Sequence, residues 1–342
     1  MLFFCPRSES FPPVTKKCLA NKKVRTCAHI TNGVSFHRGH KITLFPERPT
    51  LEEPMKKLIS LLMMILLLLT AALAETSTPT CTTVTLATGS VQVYDFGENR
   101  LHAYVSGDAL GDVCYAVESP TGVVLLESTA FTAGNDAWKA YVDTLGKPVA
   151  GKLMAYHPNG SDAYSTEAPY ATENAVANWA EGGSIRALTD GFIVTFGDTV
   201  AADHPAEAQL VQFGDTLTLA GLDFVVRNEG DDAYGVEIPA LNVIYIHMMG
   251  STTHNILTSI DHIRAFQSEL EGFHYALVLT GHNVPEGMDA VQAKIAYLGK
   301  TAEIAENAAS AADFIAKMHE VFPDYAGENY LEMTAGFLFP AE

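Results

Sequence analysis

The chain has 342 residues, of which 48% are apolar, with 21 Lys+Arg against 40 Asp+Glu. The first 74 residues hold 11 of the basic and 4 of the acidic side chains, so the remainder from Glu75 stands at 10 against 36, a net −26. A field of that sign repels phosphate backbones and anionic lipid surfaces, which excludes nucleic acid as a partner and favours cations, neutral small molecules or plain solubility.

Residues 1–54 carry Pro-rich and basic pieces such as Phe11-Pro12-Pro13 and Lys16-Lys17, with no sustained strand or helix period. From Met55 the chain reads Met55-Lys56-Lys57, an apolar run Leu58–Leu69, then Ala72-Leu73-Ala74 before Glu75. A basic start, an apolar middle and a small-x-small end make a secretory signal peptide over 55–74. The apolar run is shorter than the roughly 20 residues a spanning helix needs, so cleavage after Ala74 is expected rather than a retained anchor. A signal belongs at an N-terminus, which makes Met55 the expected start and 1–54 a non-native or disordered leader. The remaining 75–342 is expected to form one exported domain, periplasmic or extracellular, with no membrane association after cleavage. Of its two cysteines, Cys81 and Cys114, an exported protein can make one bridge or keep two separate thiols.

Short apolar or alternating runs at Val91–Phe96, Leu101–Val105, Val113–Val117 and Val123–Leu126, with turn residues between them, predict antiparallel hairpins. A helical pattern follows over Asp136–Leu145, then a strand at Lys152–Tyr156 that runs into the polar loop His157-Pro158-Asn159-Gly160-Ser161-Asp162. Thr172–Trp179 reads as a helix. A second strand-rich block is expected from Phe192–Phe196 through Ala208–Phe213, Thr216–Leu219, Phe224–Arg227, Tyr234–Ile238 and Val243–Ile246. Helices at Ile256–Leu270 and Met288–Ala296 then flank a strand at Ala276–Leu279. Hairpins followed by helix and strand, twice over, predict an α+β fold: two sheets face to face with helices outside, a four-layer αββα sandwich.

Three strand ends carry polar residues: the 157–162 loop, Ile246-His247-Met248, and Thr280-Gly281-His282. With the stretch Gly214-Asp215-Thr216-Leu217-Thr218-Leu219-Ala220-Gly221 and with Pro285 after His282, their order resembles the metallo-β-lactamase superfamily across most of residues 85–300. The resemblance implies a metal cleft. The family's His-x-His-x-Asp-His loop, later His, bridging Asp and last His hold two zinc ions around an attacking hydroxide.

Mapped onto that pattern, His157 keeps the first His and His282 the last. Asn159, Ser161 and Asp162 replace the second His, the Asp and the third His; Asp231 stands near the later His and His247 at the bridging Asp. His157, Asp162, Asp231, His247 and His282 are therefore the expected ligands of one divalent metal, zinc foremost, or of none. Asp162 or Asp231 is the expected catalytic base, and Asn159 and His254 the expected substrate contacts. Each has an ordinary structural alternative: turn residues for the 157–162 loop and Asp231, a core histidine for His247, a helix-start residue for His254.

Two functions are open to such a chain. One is an exported single-metal hydrolase of a small molecule. The other is a non-catalytic ligand- or partner-binding protein that has lost the two-zinc centre, and fold does not decide between them.

Overall fold

A computed structural model describes residues 79–229 and 233–340, all within one compact unit. The leader, the signal segment 55–74 and Asp231 lie outside the described residues.

The first sheet has eight strands in sequential order: β1 (Thr80–Thr85), β2 (Ser90–Phe96), β3 (Asn99–Val105), β4 (Val113–Glu118), β5 (Val123–Leu126), β6 (Val149–Leu153), β7 (Tyr170–Ala171) and β8 (Gln209–Leu210). The first five pair antiparallel as hairpins, and β5 through β8 run parallel. Helix α1 (Thr132–Thr144) crosses from β5 to β6, as a parallel pair requires. The second sheet comprises β9 (Thr216–Leu219), β10 (Leu222–Asn228), β11 (Tyr234–Ile238), β12 (Val243–Tyr245) and β13 (Leu277–Leu279), in the order β13-β12-β11-β10-β9. Its β12–β13 pair is parallel, connected through α4 (Ile260–Glu271).

Period-two alternation builds the layers. In β4, Tyr115 and Val117 face the core between the sheets while Cys114 and Ala116 face α1; in β5, Val124 and Leu126 face inward and Val123 and Leu125 outward. Both faces of these strands are covered, hence their unbroken apolar runs. The inner core joins Leu101, Val117 and Val124 of one sheet to Phe224, Val236 and Tyr245 of the other. Outside the first sheet, Trp138 and Val142 of α1 pack on Tyr104 and Leu125. Outside the second, Ile244 and Val278 pack against α4, α5 (Met288–Asn307), α6 (Ala311–Val321) and α7 (Glu328–Leu338) through Ile263, Leu298, Phe314 and Leu331. The architecture is the expected αββα sandwich.

One predicted strand is corrected. Phe192–Phe196 lies inside helix α3 (Ser184–Phe196), which follows α2 (Glu173–Trp179). Its apolar run suggested a strand, but Ile185, Thr189, Phe192 and Phe196 recur at helical spacing, with the first two buried. The segment Ala208–Phe213 contributes only the two-residue strand β8. Cys81 and Cys114 are separate thiols, the first exposed on β1 and the second buried in β4.

Candidate metal centre

Parallel pairing decides where the histidines meet. His157 lies in the loop beyond β6, His247 two residues beyond β12, and His282 three residues beyond β13. Since β12 and β13 pair with Tyr245 opposite Leu279, His247 and Gly281 leave the sheet at one level, and Gly281 N–H donates to the His247 carbonyl at 2.9 Å. The crevice beyond the carboxyl ends of parallel strands is where α/β architectures place ligands.

There His157, His247 and His282 each offer a ring nitrogen, all within 4.8 Å of one another. His157 Nε2 and His247 Nε2 are 3.2 Å apart. Two ligands on a tetrahedral zinc with bonds of about 2.0–2.1 Å stand about 3.4 Å apart, close to that spacing. Burial pushes His157 and His282 down to about 4 and His247 well below the usual histidine range; the neighbouring imidazoles add to the effect at His247 and His282. All three are neutral at physiological pH, the form that binds a metal.

Further details fit an ion. Gly281 forms a cradle under the rings: a Cβ there would lie 2.6 Å from His247 Cδ2 and 3.1 Å from His157 Cε1, so only glycine lets the histidines close up. The Tyr156 ring stacks on His247 at 3.9 Å between centroids and fixes its plane.

Buried carboxylates surround the triad, none of them singled out by the sequence. Glu127, immediately after β5 and in the left-handed region at φ 60°, accepts the backbone N–H groups of Ala155, Tyr156 and His157, the last at 2.6 Å. Burial raises it to about 7 against those three hydrogen bonds. Asp112 accepts Ala130 N–H at Oδ2, and its Oδ1 stands 3.6 Å from His282 Nδ1; burial pushes it up to about 6, opposed by His282. Glu229 accepts the backbone N–H of His247. The available signal was an acid directly after an apolar strand, Val123-Val124-Leu125-Leu126-Glu127.

The other expected site residues that the structure describes, Asp162, Asn159 and His254, engage partners outside the triad. Asp162 belongs to a short 3-10 turn, with its side chain 59% exposed and Oδ1 3.3 Å from Lys152 Nζ. Lys152 is almost wholly buried and takes Asp162, with the carbonyls of Ser161 and Ser165, as acceptors. Asn159 is buried and donates from Nδ2 to Thr189 Oγ1 and the Ala201 carbonyl, while Ser128 and Asn135 donate to its own carbonyl. Ser161 is also buried. His254 lies 1% exposed with Nδ1 2.9 Å from the Tyr297 hydroxyl, between that ring and Tyr325.

A cleft of about 590 Å³ opens between the β3–β4 loop and the start of α1, lined by Ser106, Asp108, Phe131, Thr132 and Asp136 among others. It has no Lys or Arg among its described lining residues. None of the three histidines lines it, although the charge of Asp108 opposes the effect of burial at both His157 and His282.

Together the two facing sheets and the helices outside them give the chain a metallo-β-lactamase-like αββα fold. No family model matches it, and no curated protein matches it in sequence. Among solved structures it is similar to the stereoselective inverting sec-alkylsulfatase Pisa1 from Pseudomonas sp., at 14% identity and a TM-score of 0.51, over 74% of this chain and 50% of that one. A double mutant of that alkylsulfatase matches at 14% identity and a TM-score of 0.52, over 73% of this chain and 50% of that one. A metallo-β-lactamase family protein from Thermus thermophilus matches at 13% identity and a TM-score of 0.48, over 70% and 91% of the two chains. The chain spans half the length of the alkylsulfatases it matches, and at these identities the likeness is one of fold.

Proposed function

We propose that the protein is a single-metal hydrolase of a small neutral or cationic molecule, with His157, His247 and His282 as the ligands of one divalent ion, zinc foremost. The observation that carries this is the convergence of three neutral imidazoles, with two Nε2 atoms 3.2 Å apart. A divalent ion held there would supply a Lewis acid and lower the pKa of a water.

The chain's own groups do the rest. The Gly281 backbone admits the rings, Tyr156 limits the tilt of His247, and Asp112 Oδ1 is placed to hold or release a proton beside His282 near neutral pH. Asp108 and Asp136 line the cleft without a basic partner there, which disfavours an anionic group on that side of the substrate. Action outside the cytoplasm, after removal of 55–74, is supported by the Met55–Ala74 pattern, and N-terminal sequencing of the native protein tests it.

A second reading, a binding protein without turnover, is favoured by one observation: among the described residues no carboxylate joins the three histidines as a ligand. Metal analysis of protein purified without chelator is the first test, with one zinc per chain expected and loss of it in His157→Ala and His282→Ala. Sub-stoichiometric metal indifferent to both changes would sink the metal site. Stoichiometric zinc without turnover across panels of neutral and cationic esters, amides and lactams would favour the binding protein.

A further inference from the structure

Glu229 directly follows β10, yet it acts on the strand two places away in the sheet. β11 lies between β10 and β12, and the Glu229 side chain reaches past it to accept the backbone N–H of His247. The passage lies over Gly235 of β11, where a Cβ would come within 3.5 Å of Glu229 Oε2. Oε2 itself is enclosed without a hydrogen-bond partner. Enclosing a carboxylate to satisfy a single N–H is costly, since a neutral side chain would serve a purely structural bond at less desolvation.

The other handles of His247 are also fixed. Its carbonyl accepts Gly281 N–H from the β13 side, and its ring lies flat on Tyr156, with 10° between the planes. Its Nε2 must then meet His157, whose own N–H is held by Glu127 from the opposite sheet. Each sheet thus contributes one buried acid that grips the backbone of one histidine.

We propose that Glu229 is the positioning residue of the metal centre. By holding the His247 N–H it fixes the 246–247 peptide, as the Gly281 contact fixes the 247–248 peptide, and so sets the depth at which His247 presents Nε2. This rests on the reading of the three histidines as ligands. Without the acceptor, the enclosed N–H would be unsatisfied, and the peptide would turn to relieve it, carrying the imidazole away from His157.

The test compares Glu229→Met, which keeps the length but has no oxygen acceptor, with Glu229→Gln, which keeps a carbonyl acceptor. Each full-length variant is titrated with cobalt(II), its affinity read by competition with a chromophoric chelator and its ligand geometry by the visible d–d bands. Loss of a partner that orients a metal ligand weakens affinity by about 10–100-fold, which is expected for Glu229→Met together with shifted bands, while Glu229→Gln stays close to wild type. Wild-type affinity and bands in Glu229→Met, whatever its melting temperature, would overturn the positioning role and leave the ligands standing. Glu229→Gln as weak as Glu229→Met would overturn the hydrogen bond as the cause. A wild-type protein that takes no cobalt overturns the ligand reading and this inference with it. Should Glu229→Met fail to fold, Glu229→Asp, which withdraws the carboxylate by one methylene, replaces it under the same outcomes.

Discussion

The first-sheet loop 157–162 and the second-sheet strand ends at His247 and His282 carry similar polar residues and use them in opposite ways. In the loop, only His157 faces the centre. Asn159 is consumed by Thr189 and Ala201, Ser161 is buried, and Asp162 turns out to Lys152. At the strand ends, His247 and His282 turn their rings toward His157, each with a nitrogen available to the shared centre. A polar residue already engaged by its own neighbourhood, as Asn159 and Asp162 are, is scaffold, whatever its position in a motif.

The sharpest break of this comparison is His157→Ala or His282→Ala. Each should cut zinc affinity by about 100-fold or more, beyond the usual cost of losing an orienting partner, measured by competition with a chelator. Acid comes next. With His157 and His282 near 4 in the folded protein and an ordinary value of 6.5, the unfolded chain binds more protons between those pH values. Stability therefore rises with pH across that window and falls on acidification, and the slope should be shallower in His157→Ala, read from melting temperature against pH.

Asn159→Ala should cost about 1–3 kcal/mol in chemical unfolding by leaving buried partners unpaired, with zinc affinity unchanged. Asp162→Ala should do least, below about 1 kcal/mol, because the pair is exposed on one side and Lys152 keeps two carbonyl acceptors. A large loss of zinc in either loop variant would show that the loop still belongs to the centre.

The sandwich and the triad were legible because both rest on local pattern. Period-two runs such as Val113–Val117 mark strands, and His247 and His282 each follow an apolar run whose end must emerge at a sheet edge. Asp162 was not legible because its fate depends on Lys152, a lysine inside β6 whose ammonium needs acceptors, and nothing in the spacing shows that demand. Glu127 and Glu229 were missed for a related reason: each acts through backbone N–H groups, which leave no trace in side-chain identity. In the acidic stretch after β10, the sequence drew attention to Asp231 and passed over Glu229, which reaches His247. The helix at Phe192–Phe196 was missed because Val, Ile and Phe in a short window suit a strand, and its period shows only from Ile185 onward.

The two separate thiols give the molecule a built-in clock. Cys81 on the exposed edge strand is open to an alkylating reagent in the native state, whereas Cys114 sits in a central strand beneath α1 and reacts only when that strand and helix part. Peptide-level mass spectrometry that follows adducts at Cys81 and then at Cys114 over time would therefore report how often the first sheet opens, without a probe placed anywhere near the histidines.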